Sequence, residues 1–471
     1  MGGPDSAAEP ADIGAEEVER EAARQLGRLR QIGAGPGESI GWLALNGLAT
    51  LGLLRACEKL GARFVPLNWR LAPAELAAIA EHAGLQHLLH DGHFETLVRE
   101  TVRRLPGAPA LAPGHAPGDL MLVYTSGTTG APKGAIHTVQ AMAANARAAI
   151  RTQGLGPGTR ALGVLPMFHV GGLCIQVLPT LAAGGRVRLH PRFDPGAWLH
   201  DVQAWRPTTS LLVPATMRAV IEHPDWAGTD LSSLAFLATG SSVVPPALIE
   251  AFHARGVPVA QVYGSTETGP VSIVLPPAQA RAHVGQVGYP APGVRVRLLD
   301  ARGAEVAEGE VGEIVVAGDN VMRGYHREPE SPAFREGWFR SGDLGRRDAQ
   351  GCYEVVGRLK DMIISGGENI YPAEIENLLA GLPGLCELAV VGLPDPHWGE
   401  VVVLAAVAEP GAAVDEAQVR AALEGRLARY KHPKRVMFLE SLPKTALGKV
   451  RKPELAALLQ ASCTKLDRDQ P

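Results

Sequence analysis

Short apolar runs and longer stretches of helical periodicity alternate along the first half of the chain. From Glu16 to Ile32, Val18, Ala22, Leu26 and Leu29 recur at helical spacing, and Glu16, Glu17, Glu19 and Glu21 crowd the N-terminal end as a solvated acidic face that suits a helix dipole. Leu120-Met-Leu-Val-Tyr124 reads as a buried strand, and the alanine-rich stretch Thr138 to Ile150 as a helix. Pro106 to Gly118, rich in Pro and Gly, reads as a long surface loop. The alternation runs to about Gly256 and predicts a doubly wound α/β fold.

Between Val294 and Val316 the texture changes to short strands and charged turns, as in Val294-Arg-Val-Arg-Leu-Leu299 and Glu313-Ile-Val-Val316, which predicts a small β-rich subdomain. A last α/β unit begins after Lys360. Its strands lie around Leu388–Val391, Val401–Val407 and Val436–Leu439. Its helices, Pro372–Leu382 and Glu416–Tyr430, each put their apolar residues on one face (Ile375, Leu378, Leu379, Leu382; Val419, Leu423, Leu427). No internal repeat or low-complexity tract interrupts the pattern.

A chain of 471 residues exceeds one ordinary core, so two or more domains are expected. A net charge of -4 and a pI near 6.4 give no basic footprint for nucleic acid. Cys57, Cys174, Cys352, Cys386 and Cys463 are far apart and odd in number, which suits a reducing compartment and argues against a disulfide framework or a zinc site. No apolar run approaches the ~20 residues of a membrane span, and Met1 to Ala15 has no signal pattern, so a soluble, cytoplasmic protein is expected.

The chemistry concentrates in five segments. Tyr124-Thr-Ser-Gly-Thr-Thr-Gly-Ala-Pro-Lys-Gly134 leaves the apolar strand as a flexible, hydroxyl-rich loop with one lysine, which is what gripping a polyphosphate requires. Gly127, Gly130 and Gly134 are expected to take positive φ, Ser126, Thr128 and Thr129 add hydroxyl donors, and Lys133 adds a mobile charge. It is not a Walker A loop, because Pro132 precedes Lys133 and Gly134 follows it. Its plainer reading is a Gly/Thr-rich turn.

Tyr263-Gly-Ser-Thr-Glu-Thr-Gly269 follows the apolar Val257–Val262, placing a second such turn at a strand end, where α/β sheets collect ligands. Glu267 there suits Mg2+, which takes one or two protein carboxylates; its plainer reading is a surface glutamate. Trp338-Phe-Arg-Ser-Gly-Asp-Leu-Gly345 puts Asp343 in a turn as an acceptor for ribose hydroxyls. Gly357-Arg-Leu-Lys-Asp-Met-Ile-Ile-Ser-Gly-Gly-Glu-Asn-Ile-Tyr-Pro372 runs from a charged turn to Gly366-Gly367 and a helix start. Pro443-Lys-Thr-Ala-Leu-Gly-Lys-Val-Arg-Lys452 is a basic loop with Lys449 after a glycine.

In this order and spacing, from Gly37 to Leu455, the five segments resemble the signature motifs of the adenylate-forming superfamily, which includes acyl- and aryl-CoA synthetases, peptide-synthetase adenylation domains and firefly luciferase. The resemblance implies a large N-terminal domain (residues 1–359) of two doubly wound sheets plus a small β-barrel, and a small mobile α+β C-terminal domain (residues 360–471) hinged at Lys360. It implies ATP, Mg2+ and coenzyme A, acyl-AMP formation with release of pyrophosphate, and transfer of the acyl group to a thiol. Thr125, Ser126, Gly127, Thr128, Thr129, Gly130 and Lys133 would cradle the β- and γ-phosphates, and Tyr263 with Gly264 would lie near adenine. Thr266 and Glu267 would act at the phosphates, Glu267 holding the metal. Asp343 and Arg358 would hold the ribose, and Lys449 would reach the acid carboxylate and the α-phosphate. Gly366 and Gly367 would face the thiol step, with Trp398 and Tyr430 either stacking on the CoA adenine or serving as core aromatics.

Met167-Phe-His-Val-Gly-Gly172 separates branches of the superfamily. CoA ligases resembling this chain carry an aromatic–His pair there, whereas amino-acid-adenylating domains carry an aspartate, so His169 favours a free-standing CoA ligase. The acyl pocket implied by resemblance is lined by His169 to Leu173, Gly240-Ser241-Ser242 and Gly264 to Gly269, small residues expected to leave volume for a ring or an alkyl chain. A fatty acid and an aromatic acid both remain open, as do a carrier-protein thiol, a binding protein for acyl-AMP or acyl-CoA, and a monomer or homodimer. His87, His90 and His93 around Asp91 do not read as a metal site, since an odd separation on the strand Gln86–Leu89 sends His87 and His90 to opposite faces. The usual opening hairpin is missing, Gly240-Ser241-Ser242 replaces a commoner Gly-Gly-Ala, and Lys452 stands where Arg is frequent.

Overall fold

The computed structural model describes residues 12–105, 116–126, 132–240, 244–328, 330–366, 368–444 and 449–468. The first sheet has six strands in the order Gly324–Tyr325, Pro132–Thr138, Asp119–Ser126, Arg63–Pro66, Ser39–Leu43, His87–His90. The last four pair in parallel, and Pro132–Thr138 and Gly324–Tyr325 add antiparallel. Side chains alternate across it. Ile40, Trp42, Phe64, Met121 and Val123 join the core under the helices Ala15–Gln31 and Leu48–Leu60, while Leu43, Val65 and Leu122 face the helix Pro73–Ala83.

A second sheet has eight strands: Asp12–Ile13, Arg186–Leu189, Arg160–Gly163, Thr209–Leu212, Phe236–Gly240, Val259–Tyr263, Ile273–Val274 and Tyr289–Pro290. Its inner five are parallel and its edges antiparallel. Parallel pairing brings the carboxyl ends of Arg160–Gly163, Phe236–Gly240 and Val259–Tyr263 to one edge. From these ends the chain runs into the segments of His169, Ser241-Ser242 and Glu267, the edge where open α/β sheets bind ligands.

The strands Glu368–Ile370, Ile363–Ser365, Gly399–Ala408 and Leu385–Asp395 form a further sheet, with Arg435–Phe438 parallel to Gly399–Ala408. Val390, Val402, Leu404 and Ala406 meet Ile375, Leu379, Val419 and Leu423 of two helices on one face. Ala389, Val391, Val403 and Ala405 meet Leu455 and Leu459 of the helix Lys452–Arg468 on the other. The chain divides into two compact units: Met1–Ser242, Ala251–Val296 and Val315–Arg340 make one, and Val243–Glu250, Arg297–Ile314 and Ser341–Pro471 make the other. Among the described residues no helix is long and apolar enough to cross a membrane.

The elements depart from the sequence reading at identifiable points. Pro132, Lys133 and Gly134, expected as loop, open the strand Pro132–Thr138, because its backbone completes the ladder of Asp119–Ser126. Thr138 is then the cap of the helix Val139–Gln153, its Oγ1 accepting from the Ala141 amide at 3.0 Å. The helix expected over Glu416–Tyr430 stops at Leu423; Gly425 takes φ 72°, and the chain resumes only as a single turn at Arg429–Lys431. His87 and His90 sit on the strand His87–His90 with separate local partners, Glu38 at 3.2 Å and the Gly92 amide at 3.0 Å.

Candidate active site

The loop expected to bind phosphate is held at its two ends by a hairpin. Tyr124 pairs with Gly134, Thr125 with Lys133 and Ser126 with Pro132, and the Thr125 hydroxyl donates to the Lys133 carbonyl at 3.5 Å. Gly127, Thr128, Thr129 and Gly130 lie outside the described residues. Gly134 is an extended strand residue rather than a left-handed one. A Cβ there would lie 2.8 Å from Leu122 Cδ1, so glycine is required by packing. Lys133 Nζ sits 2.8 Å from Glu328 Oε2 and 5.0 Å from the centre of the Tyr325 ring.

Beneath this hairpin lies a buried polar cluster. The Tyr124 hydroxyl is 2.7 Å from His82 Nδ1, the His82 and His326 rings meet edge-on at 5.4 Å, and His326 Nδ1 lies 3.5 Å from Arg63 Nη1. Arg63, 2% exposed, also donates twice to Ser39 Oγ, at 2.8 and 3.2 Å. Burial pushes the pKa of His326 down to about 4, helped by the charge of Arg63, so this ring is neutral.

The turn after Val259–Tyr263 is fixed from several sides. Gly264 has no room for a side chain: a Cβ would fall 2.1 Å from the Pro270 carbonyl. Ser265 N donates to Thr268 Oγ1 at 3.0 Å, Gly269 takes φ 71°, and Asn320 Nδ2 donates to the Thr268 carbonyl at 2.6 Å. Met322 N donates to the Glu267 carbonyl at 2.8 Å, and the Tyr325 hydroxyl donates to Glu267 Oε1 at 2.8 Å. Tyr263 and Thr266 are half-buried beside it. Glu267 Oε2 keeps no protein partner among the described residues, and one such carboxylate oxygen fits the sparse protein ligation of Mg2+. Next to Thr266, His137 is fully buried; desolvation pushes its pKa down to about 4, the Thr266 backbone opposing, and neither ring nitrogen reaches hydrogen-bond geometry with a described residue.

On the same sheet edge His169 opens the short helix Val170–Cys174, its ring 4.6 Å from that of Phe168. The expected volume at the pocket glycines is a matter of backbone instead. A Cβ on Gly172 would lie 2.3 Å from the Pro166 carbonyl and one on Gly240 2.2 Å from that of Val262, whereas Gly171 faces open space. Ser241 and Ser242 lie outside the described residues.

In the other unit, Asp343 and Arg358 are partners across the antiparallel ladder of Trp338–Arg347 and Tyr353–Arg358, with Nε 2.7 Å from Oδ1. The Asp343 amide donates to Ser341 Oγ at 3.0 Å, and Gly342, at φ 69°, donates to Glu313 Oε1 at 3.2 Å. Asp343 is 8% exposed, so its carboxylate is held rather than free to wander. Lys449 lies within electrostatic reach of both. Its residue is solvent-accessible overall, yet desolvation and then the charge of Arg358 pull its pKa below the ordinary lysine value, Asp343 opposing them.

Gly366 donates to the Trp398 carbonyl at 2.8 Å, and a Cβ there would strike the Trp398 ring at 2.9 Å. Gly367 lies outside the described residues. Trp398 and Tyr430 are 43% and 47% exposed, which removes the core-aromatic alternative. Each carries an ammonium over its ring, Lys434 at 5.3 Å from Trp398 and Lys431 at 5.7 Å from Tyr430.

The sequence profile of the AMP-binding enzyme family matches residues 11–326, and that of the AMP-binding enzyme C-terminal domain matches residues 374–449. The chain belongs to the AMP-binding enzymes. It is 43% identical over 467 residues to the indoleacetate–CoA ligase of Aromatoleum aromaticum, covering 93% of this chain and 91% of the relative. It is 43% identical over 453 residues to the feruloyl-CoA synthase of an Amycolatopsis species, covering 93% and 92%. ATP-bound MatB from Rhodopseudomonas palustris superposes with a TM-score of 0.84 at 31% identity, covering 94% of this chain and 93% of that one. The o-succinylbenzoate CoA synthetase of Bacillus subtilis, solved with its acyl-adenylate, gives 0.84 at 30% identity, covering 93% and 92%. This AMP-binding enzyme is an AMP-forming acid–CoA ligase that uses ATP, Mg2+ and coenzyme A.

Three residues in contact with the expected phosphate and metal residues escaped the sequence reading: His137, Tyr325 and Glu328. His137 is masked by its strand, where it occupies an inward position. Tyr325 and Glu328 stand in Gly324-Tyr-His-Arg-Glu328, and an aromatic and an acid within a charged stretch between strands is the one signal that pointed to them.

Two outcomes follow from this geometry. Gly264→Ala is expected to cost about 1–3 kcal/mol through forced movement of the Pro270 carbonyl, read as a lower denaturation midpoint. Adenylate formation is expected to fall as pH rises and Lys449 loses its proton, with a midpoint below the ordinary lysine value of 10.5, read from the pH profile of pyrophosphate release.

Proposed function

We propose that this enzyme activates an aromatic or arylalkyl carboxylic acid. The observation that carries the reading is the pair of relatives at 43% identity, an indoleacetate–CoA ligase and a feruloyl-CoA synthase, against 33% for a fatty-acid–CoA ligase of Mycobacterium tuberculosis. No lysine or arginine stands among His169–Leu173, Gly240–Ser242 and Gly264–Gly269 to meet a second carboxylate, which supports a monocarboxylic acid.

In this reading Lys133 and the hydroxyls of Thr125, Ser126, Thr128 and Thr129 receive the β- and γ-phosphates, and Glu267 holds the metal. Bound Mg2+ neutralises phosphate charge. Thr266 flanks it, and Tyr263 lies against adenine. Asp343 accepts from the ribose hydroxyls, kept in place by Arg358. Lys449 draws the acid carboxylate toward the α-phosphorus, where two anions must meet and a fixed cation is worth most as charge builds in the transition state. A carboxylate oxygen forms the new P–O bond as the bond to pyrophosphate breaks; the CoA sulfur then attacks the acyl carbon and AMP leaves. His169 borders the acyl group in this second step. Residues 360–471 turn about Lys360 between the halves, bringing Gly366-Gly367 to the thiol, with Trp398 and Tyr430 stacking on the CoA adenine.

Two measurements test this. Across benzoic, cinnamic, indole-acetic and fatty acids, CoA-stimulated pyrophosphate release is expected to favour an aromatic acid over palmitate by about tenfold or more in kcat/KM; the opposite order assigns an alkyl substrate. Lys449→Ala is expected to lose adenylate formation by about a hundredfold or more while keeping thioester formation from supplied acyl-AMP. Equal loss of both steps contradicts the division of labour.

A further inference from the structure

Both charged groups on the phosphate side of the site are touched by one side chain to which no role has been given. The Tyr325 hydroxyl donates to Glu267 Oε1 at 2.8 Å, and the Lys133 ammonium lies over the Tyr325 ring, 5.0 Å from its centre. The backbone makes this contact stiff. Tyr325 pairs with Ala135 and Gly324 with Ile136, so the strand Gly324–Tyr325 is zipped to the strand that carries Lys133. His326 N donates to the Gly134 carbonyl at 2.7 Å, and Met322 N donates to the carbonyl of Glu267 at 2.8 Å. Beyond Tyr325 the chain turns at once: Arg327 takes φ 63°, Glu328 N returns to the Tyr325 carbonyl at 3.2 Å, and the Glu328 carboxylate reaches Lys133 at 2.8 Å.

We propose that Tyr325 is a positioning residue for adenylate formation, one that fixes the metal-binding carboxylate of Glu267 through its hydroxyl and the phosphate-binding ammonium of Lys133 through its ring. With Oε1 engaged by the phenol, Glu267 presents Oε2 in a single direction, as octahedral Mg2+ demands. Lys133 rests on the ring face, and its second contact, a half-exposed ion pair with Glu328, is of the kind that holds a side chain weakly. Incoming phosphate oxygens therefore replace Glu328 without dislodging the lysine from Tyr325. The inference rests on Glu267 as metal ligand and Lys133 as phosphate ligand.

The test uses the full chain with Tyr325→Phe, Tyr325→Leu and Glu267→Gln, and reads Mn2+ binding to the enzyme–ATP complex by electron paramagnetic resonance with no acid present. Tyr325→Phe, which keeps the ring, is expected to weaken Mn2+ binding by about tenfold, the loss of one charge-assisted hydrogen bond. Its KM for ATP at saturating Mg2+ and its rate of thioester formation from supplied acyl-AMP stay at the wild-type level. Tyr325→Leu also loses the platform under Lys133, and its KM for ATP rises. Wild-type Mn2+ binding in Tyr325→Phe with weakened binding in Glu267→Gln overturns the role of Tyr325 alone. Wild-type binding in Glu267→Gln overturns the assignment of the metal ligand, and this inference with it. Equal loss of both half-reactions in Tyr325→Phe, with a lowered melting temperature, makes Tyr325 a structural residue and also overturns it.

Discussion

The register between Asp119–Ser126 and Pro132–Thr138 is the constraint on which the geometry around Lys133, Tyr325 and Glu267 depends. It fixes both ends of the loop, directs Lys133, and offers the edge to which Gly324–Tyr325 adds. Through that added strand the first sheet reaches the Glu267 turn, which issues from the second. A single slip of register would invert the face on which Lys133 and Ala135 stand and would part Lys133 from Tyr325. His82, the neutral His326 and the buried Arg63 sit under this hairpin and tie Tyr124 to the same segment. Packing these groups is costly unless all are matched, so the cluster favours one arrangement of the strands over near alternatives.

The other unit solves a different problem, that of holding charged groups of opposite sign close together without letting them cancel. Asp343 and Arg358 face each other across adjacent strands, and the strand segment that carries Asp343 is pinned by Ser341 and Glu313. Arg358 already engages the carboxylate, and Lys449 meets both. The lowered proton affinity of Lys449 comes first from desolvation and then from the neighbouring charge of Arg358, with Asp343 opposing both.

Much of this was legible in the chain because the chemistry lies in contiguous turns. Tyr263–Gly269 and Gly357–Pro372 carry their polar groups within a few residues of a strand end, and the alternation of apolar runs predicted a doubly wound α/β fold; Asp343, expected in a turn, stands instead inside the strand Trp338–Arg347, where it pairs with Arg358. What depended on distant partners was not legible. Pro132–Thr138 has the composition of a loop start and becomes a strand only by pairing; the Glu416 helix ends early because Gly425 adopts a left-handed turn. Tyr325 acquires its meaning from Glu267, far away in sequence, and nothing in the local pattern of Gly324–Glu328 names that partner. His87 and His90, on one strand, have separate contacts, with Glu38 and with the Gly92 amide.

The glycines of the acyl side carry a lesson for how such a scaffold diversifies. At Gly172, Gly240 and Gly264 the missing side chain is demanded by a carbonyl oxygen at 2.3, 2.2 and 2.1 Å from where it would begin. These positions are locked by the frame and have no room for a larger side chain. Gly171 meets nothing, and Ser241 and Ser242 follow directly on a locked residue. If the pocket lies where the resemblance implies, side chains can be varied at a few permissive neighbours of this locked backbone without dismantling the sheet edge, and redesign of the substrate range has a short list of places to begin.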